Sequence, residues 1–175
     1  MLFRSITNAD LQESIKKFNL IRKNLSKIYA LQSQNPGIIK GADLYAIVKG
    51  SMMMDRDEIA GLLPAIVNNL EKTDIPEKKG KRIVISGSIC DSPDIYSAIE
   101  AAGGVIVGDD LCTGQRWFEG EILDDENPIN AIATRYMDRM ICPAKHATLT
   151  ARGENMVSLA QIGRASCRER VSSPV

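Results

Sequence analysis

No excess charge of either sign is present: 22 Lys and Arg stand against 22 Asp and Glu. That balance leaves no basic footprint for nucleic acid or an anionic lipid surface, so neither nucleic acid nor membrane is expected as a partner. No apolar run approaches the roughly 20 residues of a bilayer-spanning helix. The opening Met1-Leu2-Phe3-Arg4-Ser5 is too short in apolar residues for a secretory signal. A cytoplasmic location is the expectation. The four cysteines lack paired spacing, which in a chain of this length speaks against a disulfide framework and suits a reducing compartment. The glycine spacing of a dinucleotide fingerprint and the lysine of a phosphate-binding loop are both missing, so nucleotide binding gains no support. The single histidine, His146, has no partner evident in the sequence and reads as satisfying local hydrogen bonds rather than moving protons.

What is present is an ordinary globular composition, 44% hydrophobic and 25% charged over 175 residues, enough for one core with a helical annex. Residues 1–75 read as a helical segment. Thr7 with Asp10 forms a capping-box pattern, and Leu11, Ile15, Phe18, Ile21, Leu25 and Ile28 then recur at steps of three and four until Asn35-Pro36-Gly37 stops the helix. A second helix is predicted from Asp43 toward Met53. A third follows from Asp55, with Ile59, Leu62, Leu63, Ile66, Val67 and Leu70 on its inner side. Thioethers adapt to irregular apolar ligands, but the Met52-Met53-Met54 run reads more simply as gap-filling core.

Residues 76–161 change character. Arg82 to Ser86 is a short β-branched run of the kind buried on both faces of a parallel sheet, Pro93 to Ala102 has a helical start and spacing with Ile95, Ile99 and Ala102 inward, and Val105-Ile106-Val107 makes a second strand. A right-handed crossover then sets the two strands side by side and parallel. A helix over Asn127 to Met140 is predicted to turn Ile129, Ile132, Ala133, Tyr136 and Met140 inward, and another helix is suggested over Asn155 to Gln161. The expected fold is α/β: an N-terminal helical segment followed by part of a Rossmann-like parallel-sheet lobe. Residues 162–175 fit neither part. They are arginine-rich and aperiodic, IGRASCRERV is similar to the translation of a sequencing adapter, and the segment reads as a non-native tail in which Cys167 is discounted.

Ligands of open parallel sheets bind beyond the carboxyl ends of the strands, where loops diverge and helix amides point outward. Two loops fall there. Ser86 to Pro93 offers Gly87 for a tight turn, the hydroxyls of Ser86, Ser88 and Ser92, and Cys90 with Asp91. Asp109 to Arg116 sets two adjacent carboxylates at a strand end, which repel unless something compensates them, and Arg116 is the near candidate. Within it Thr113-Gly114 lets the backbone turn sharply toward a ligand. The candidate substrate-binding set is therefore Ser86, Gly87, Ser88, Asp109, Asp110, Thr113, Gly114 and Arg116, with no catalytic residue assigned. Helix capping by Asp91 or Ser92, and simple pairing of Asp110 with Arg116, are the structural alternatives.

The run RIVISGSICDSPDIYSAIEAAGGVIVGDDLCTGQRWFEG, with ICPAKH behind it and NPGIIKG and SMMM ahead, resembles an internal stretch of the 2-hydroxyacyl-CoA dehydratase and benzoyl-CoA reductase family. DDLCTGQR with CPAKH is the most specific part. The resemblance implies a subunit fragment of a cytoplasmic enzyme that uses a 4Fe-4S cluster, a paired homologous subunit, an ATP-dependent activator and an acyl-CoA substrate. A dehydratase of this kind takes one electron to expel the 2-hydroxyl and yields an enoyl-CoA. A reductase spends the electron on an aromatic ring. A cluster-free scaffolding subunit that keeps the thioester pocket is the rival from another class. In that family the cluster cysteines flank this stretch, so the resemblance implies no cluster in the fragment alone. Cys90 and Cys112 remain weak metal-ligand candidates, and Cys142 reads as a buried structural thiol.

Overall fold

The computed structural model describes residues 5–74, 79–139 and 149–162. Cys142, His146, Cys167, Met140 and the predicted tail beyond Ile162 lie outside them. The chain is α/β, with helices first and a parallel sheet after.

Helix α1 (Asn8–Gln34) opens with both halves of the expected capping box, the Thr7 hydroxyl accepting from the Asp10 amide and the Asp10 carboxylate accepting from the Thr7 amide. Its stripe is fully buried from Ile21 through Ile28. Helix α2 (Gly41–Met53) starts two residues before the predicted Asp43, and α3 (Arg56–Lys72) is capped by the Asp55 carboxylate, which accepts from the amides of Asp57 and Glu58. Ile21, Leu25, Ile28, Leu44, Val48, Leu63 and Val67 form the first core cluster, and Phe118 joins it from the other end of the fold. Two residues expected inside are outside: Leu62 is 48% exposed and Met53 76% exposed. With α1 as the main neighbour of α3, the 59/63/67 line of that helix is fully covered and Ala60, Ile66 and Leu70 are partly covered beside it, which leaves Leu62 on the outer side. Met54, not Met53, packs on the core.

Strand β1 (Lys81–Ser86), helix α4 (Asp94–Ala101) and strand β2 (Gly104–Asp110) form the expected parallel βαβ unit. Gly103 makes the turn into β2 at φ 87°, a conformation that favours glycine. β2 is buried throughout, whereas β1 is only half-buried, contrary to the reading of the Arg82 to Ser86 run as covered on both faces. Both are edge strands of a two-stranded sheet among the described residues; the difference comes from the helices, since α1, α4, α5 and α7 all pack against β2 whereas β1 meets chiefly α7. On α4 it is Tyr96 that is buried, at 2% exposure, while Ile95 is 48% exposed and Ala102 is exposed. Tyr96, Ile106 and Leu111 make the second core cluster, against which Tyr45, Ile85, Cys90 and Ile99 pack.

The short helix α5 (Gln115–Phe118) has no counterpart in the periodicity. It is followed by α6 (Pro128–Asp138) and α7 (Leu149–Ile162). The inward face predicted for α6 is wrong. Pro128, Ala131 and Arg135 are buried, while Ile129 is 62% and Tyr136 50% exposed, and Ala133 is exposed. What rotates the helix is Arg135, whose guanidinium donates to the carbonyls of Gly120, Glu119 and Trp117 and closes the chain end of α5. No helix among the described residues is long and apolar enough to cross a membrane.

Candidate functional site

β2 is three residues longer at its end than the predicted Val105-Ile106-Val107, so Asp109 and Asp110 are strand residues rather than loop residues. Both carboxylates are buried, at 0% and 1% exposure. Alternation along the strand sends them to opposite faces, and each meets its own set of partners.

Asp110 is compensated by Arg116. The guanidinium donates from Nε to Oδ1 and from Nη2 to Oδ2, both at 2.5 Å, a two-pronged pair with only 5% of the arginine exposed. Hydrogen bonding to Asp110 raises the Arg116 pKa further above its already high value. The remaining nitrogen, Nη1, reaches across to the first loop, donating to the Gly87 carbonyl at 3.0 Å and to the Cys112 sulfur at 3.6 Å. Ser86 adds a hydroxyl donated to Asp110 Oδ2 at 3.1 Å.

Asp109 faces the helices. Its Oδ1 accepts the amides of Gln115 (2.9 Å) and Leu111 (3.2 Å), and its Oδ2 accepts the Tyr29 hydroxyl from α1. Burial pushes the Asp109 carboxyl above its usual range, with the three hydrogen bonds pulling the other way. Burial also pushes the Tyr29 phenol well above its ordinary range, and the neighbouring carboxylate adds to this. Gly114 is required here for a steric reason. A Cβ on its backbone would stand 1.9 Å from Asp109 Oδ1, so the close approach that glycine permits is to this carboxylate.

The two loops are laced together. Gly87 N–H donates to Asp110 O, Cys112 N–H to Ser88 O, and the buried Thr113 hydroxyl both accepts from Cys90 N–H and donates to Cys90 O. All eight candidate residues thus belong to one assembly in two layers. Asp109, Asp110, Thr113, Gly114 and Arg116 are buried, and Ser86 and Ser88 are exposed with Gly87 half-covered between them. Asp91 and Ser92 stay outside it. Asp91 pairs with Lys49, and the Ser92 hydroxyl exchanges hydrogen bonds with Asp94, accepting from its N–H and donating to its carboxylate, while Pro93 holds the N-cap position of α4 without a side-chain cap. Sequence reasoning missed Tyr29, 80 positions from its partner, and Gln115. A tyrosine beside Ile28, one turn from Leu25 and Gln32 on the inner face, was the available signal.

A 4Fe-4S cluster does not fit the described residues. Such a cluster takes three or four thiolates, whereas Cys90 and Cys112 are the cysteines described, and no group of three or more His, Cys, Asp or Glu among those residues could hold a metal ion. Cys90 instead donates its thiol to Ser92 O, and Cys112 lies 3.9 Å from the Ser88 hydroxyl.

Residues 2–167 match the family described as 2-hydroxyglutaryl-CoA dehydratase, D-component. The chain belongs to that family. Among its curated relatives, a benzoyl-CoA reductase subunit of Thauera aromatica is 27% identical over 143 residues, 81% of this chain and 37% of the relative. The (R)-phenyllactyl-CoA dehydratase beta subunit of Clostridium sporogenes is 25% identical over 160 residues, 91% of this chain and 42% of the relative. The beta subunit of (R)-2-hydroxyglutaryl-CoA dehydratase from Acidaminococcus fermentans is 24% identical over 132 residues, 75% of this chain and 35% of the relative. The chain spans about two fifths of the length of these relatives.

Proposed function

We propose that the chain is part of a subunit of a cytoplasmic 2-hydroxyacyl-CoA dehydratase, which removes water from its thioester to give an enoyl-CoA. It would act with a paired homologous subunit and an ATP-dependent activator. Family membership supports the reaction class, and the laced loop pair supports the placing of the site. Two loops at the carboxyl ends of parallel strands, where such sheets bind ligands, are held in one shape by the Arg116 guanidinium spanning Asp110 and Gly87. In this reading Ser86, Gly87 and Ser88 offer hydroxyl and amide groups to the thioester from the exposed layer. Asp109, Asp110, Thr113, Gly114 and Arg116 set the position of that layer from beneath. The cluster of the whole enzyme would be held by cysteines outside the described residues, and no step is assigned through it.

The relative from Thauera aromatica favours a second reading, an aromatic-ring reductase subunit. The test takes the full-length protein with its partner subunit and activator, without oxygen, and supplies 2-hydroxyacyl-CoA thioesters and benzoyl-CoA in separate assays. Enoyl-CoA formation is the expected result. Ring reduction without dehydration replaces the first reading by the second. Tight thioester binding with neither conversion makes the subunit a scaffold.

A further inference from the structure

Beneath the second loop, a cavity of about 180 Å³ lies between α1, the sheet, α5 and α7. Its wall is mainly apolar, with Tyr29, Val84, Val107, Phe118 and Leu159 prominent. Two features of β2 make room for it. The sheet register steps from Ile83 opposite Ile106 to Val84 opposite Gly108, so Val107 is skipped in a bulge and the strand is locally re-aimed. Gly108 is buried, yet a Cβ added to it would meet nothing within 4 Å. Interiors packed at ordinary density leave no such gap beside a strand residue, and an isolated glycine inside a strand marks a bulge or a place where a ligand approaches closely; the bulge is present here, and the open space beside it is what a ligand would need.

We propose that this cavity seats the acyl group of the CoA thioester and selects a compact apolar group of about phenyl size. The proposal rests on the dehydratase reading above. The volume is sufficient, because an apolar cavity of roughly 150 Å³ already holds benzene. The position is consistent as well. Gln115 lines the cavity and also donates its amide to Asp109, and Gly108 immediately precedes Asp109, so the cavity and the second loop share a wall. Charge narrows the choice further. The described lining residues include no Lys, Arg or His, and a carboxylate taken into an apolar space without a partner is costly. A dicarboxylic acyl group is therefore disfavoured, and a two-carbon side group leaves the volume underfilled.

The test uses the full-length protein with its paired subunit. Affinities are measured by calorimetry for the CoA thioesters of phenyllactate, lactate and 2-hydroxyglutarate, and benzene alone is titrated as an independent probe of the cavity. The wild type should bind the phenyl thioester roughly tenfold or more tightly than the other two, a typical span for filling an apolar pocket. Gly108→Val puts a β-branched side chain into the empty space and should bring the phenyl-to-lactoyl ratio down toward one while abolishing benzene binding. If that variant does not fold, Gly108→Ala is expected to weaken both phenyl thioester and benzene several-fold. A wild type without the preference, or a Gly108 variant that keeps it, overturns the acyl assignment but leaves the dehydratase reading intact. Failure of every thioester to bind while benzene still does overturns both.

Discussion

Replacing Gly114 by alanine places a methyl carbon 1.9 Å from Asp109 Oδ1, with the carboxyl carbon at 2.5 Å and Oδ2 at 2.7 Å. None of these contacts is tolerable, and Asp109 cannot move freely, because it is 0% exposed and held by Tyr29 and the amides of Leu111 and Gln115. Overpacking a filled site costs about 1–3 kcal/mol. If the carboxylate is displaced, each buried amide left without an acceptor costs about 1–3 kcal/mol more. With both the Leu111 and Gln115 amides stranded, a loss of about 3–9 kcal/mol is expected, a large share of the about 5–15 kcal/mol that stabilises a typical domain. Urea denaturation of the full-length protein measures it. The decisive comparison is a double-mutant cycle with Asp109→Ala, itself destabilising because it strands the same amides. Once the carboxylate is gone, the added methyl has space, so Gly114→Ala should cost less than about 1 kcal/mol in that background. Additivity of the two substitutions within about 0.5 kcal/mol, the behaviour of independent sites, would refute the steric argument.

Three further outcomes follow from the same site. Asp109 holds its proton above the ordinary value of 3.8 mainly through burial, so the folded state binds a proton that the unfolded chain has released; its stabilising contribution is complete below about pH 3.8 and is lost as pH rises through the raised folded value. Asp109→Asn should therefore flatten the stability profile over mildly acidic pH, as read from urea midpoints, and an unchanged slope counts against a buried, proton-holding Asp109. Arg116→Ala leaves the buried Asp110 carboxylate without its partner and is expected to cost about 3–5 kcal/mol; Arg116→Lys should restore little of it, since one ammonium cannot span both carboxylate oxygens and the Gly87 carbonyl, and full rescue by lysine in a thermal melt would show that charge alone matters. Thr113→Val keeps the shape but removes the hydroxyl that accepts from Cys90 N–H, so a loss of about 1–3 kcal/mol is expected, with faster hydrogen exchange confined to the Cys90 amide and its neighbours; uniform exchange across both loops would contradict the local lacing.

The helices were readable where one face alone decides the outcome. The α1 stripe, its capping box and its proline-glycine stop are local signals, each complete within a few residues, and the structure follows them. The βαβ unit was readable for the same reason, two β-branched runs separated by one helix. Amphipathic spacing failed where a polar interaction outranked it. On α6 the apolar residues alternate in a way that fits an inward face, but three hydrogen bonds from Arg135 to the end of α5 fix the helix in another rotation. Tyr96 displaced Ile95 and Ala102 on α4 because its ring reaches the space between Tyr45 and Ile106.

By itself, then, the sequence determined which residues gather at the carboxyl edge of the sheet, because strand order and crossover hand are fixed by short-range pattern. It could not determine which of them face outward. The division of Asp109 from Asp110, one turned toward Tyr29 and the other toward Arg116, depends on β2 running to residue 110 and on an α1 side chain 80 positions away. The empty space beside Gly108 depends on a skipped register position between two strands. Neither exists until distant segments pack, since burial, register and the choice of partner for a carboxylate are properties of the assembled interior and not of any window of residues.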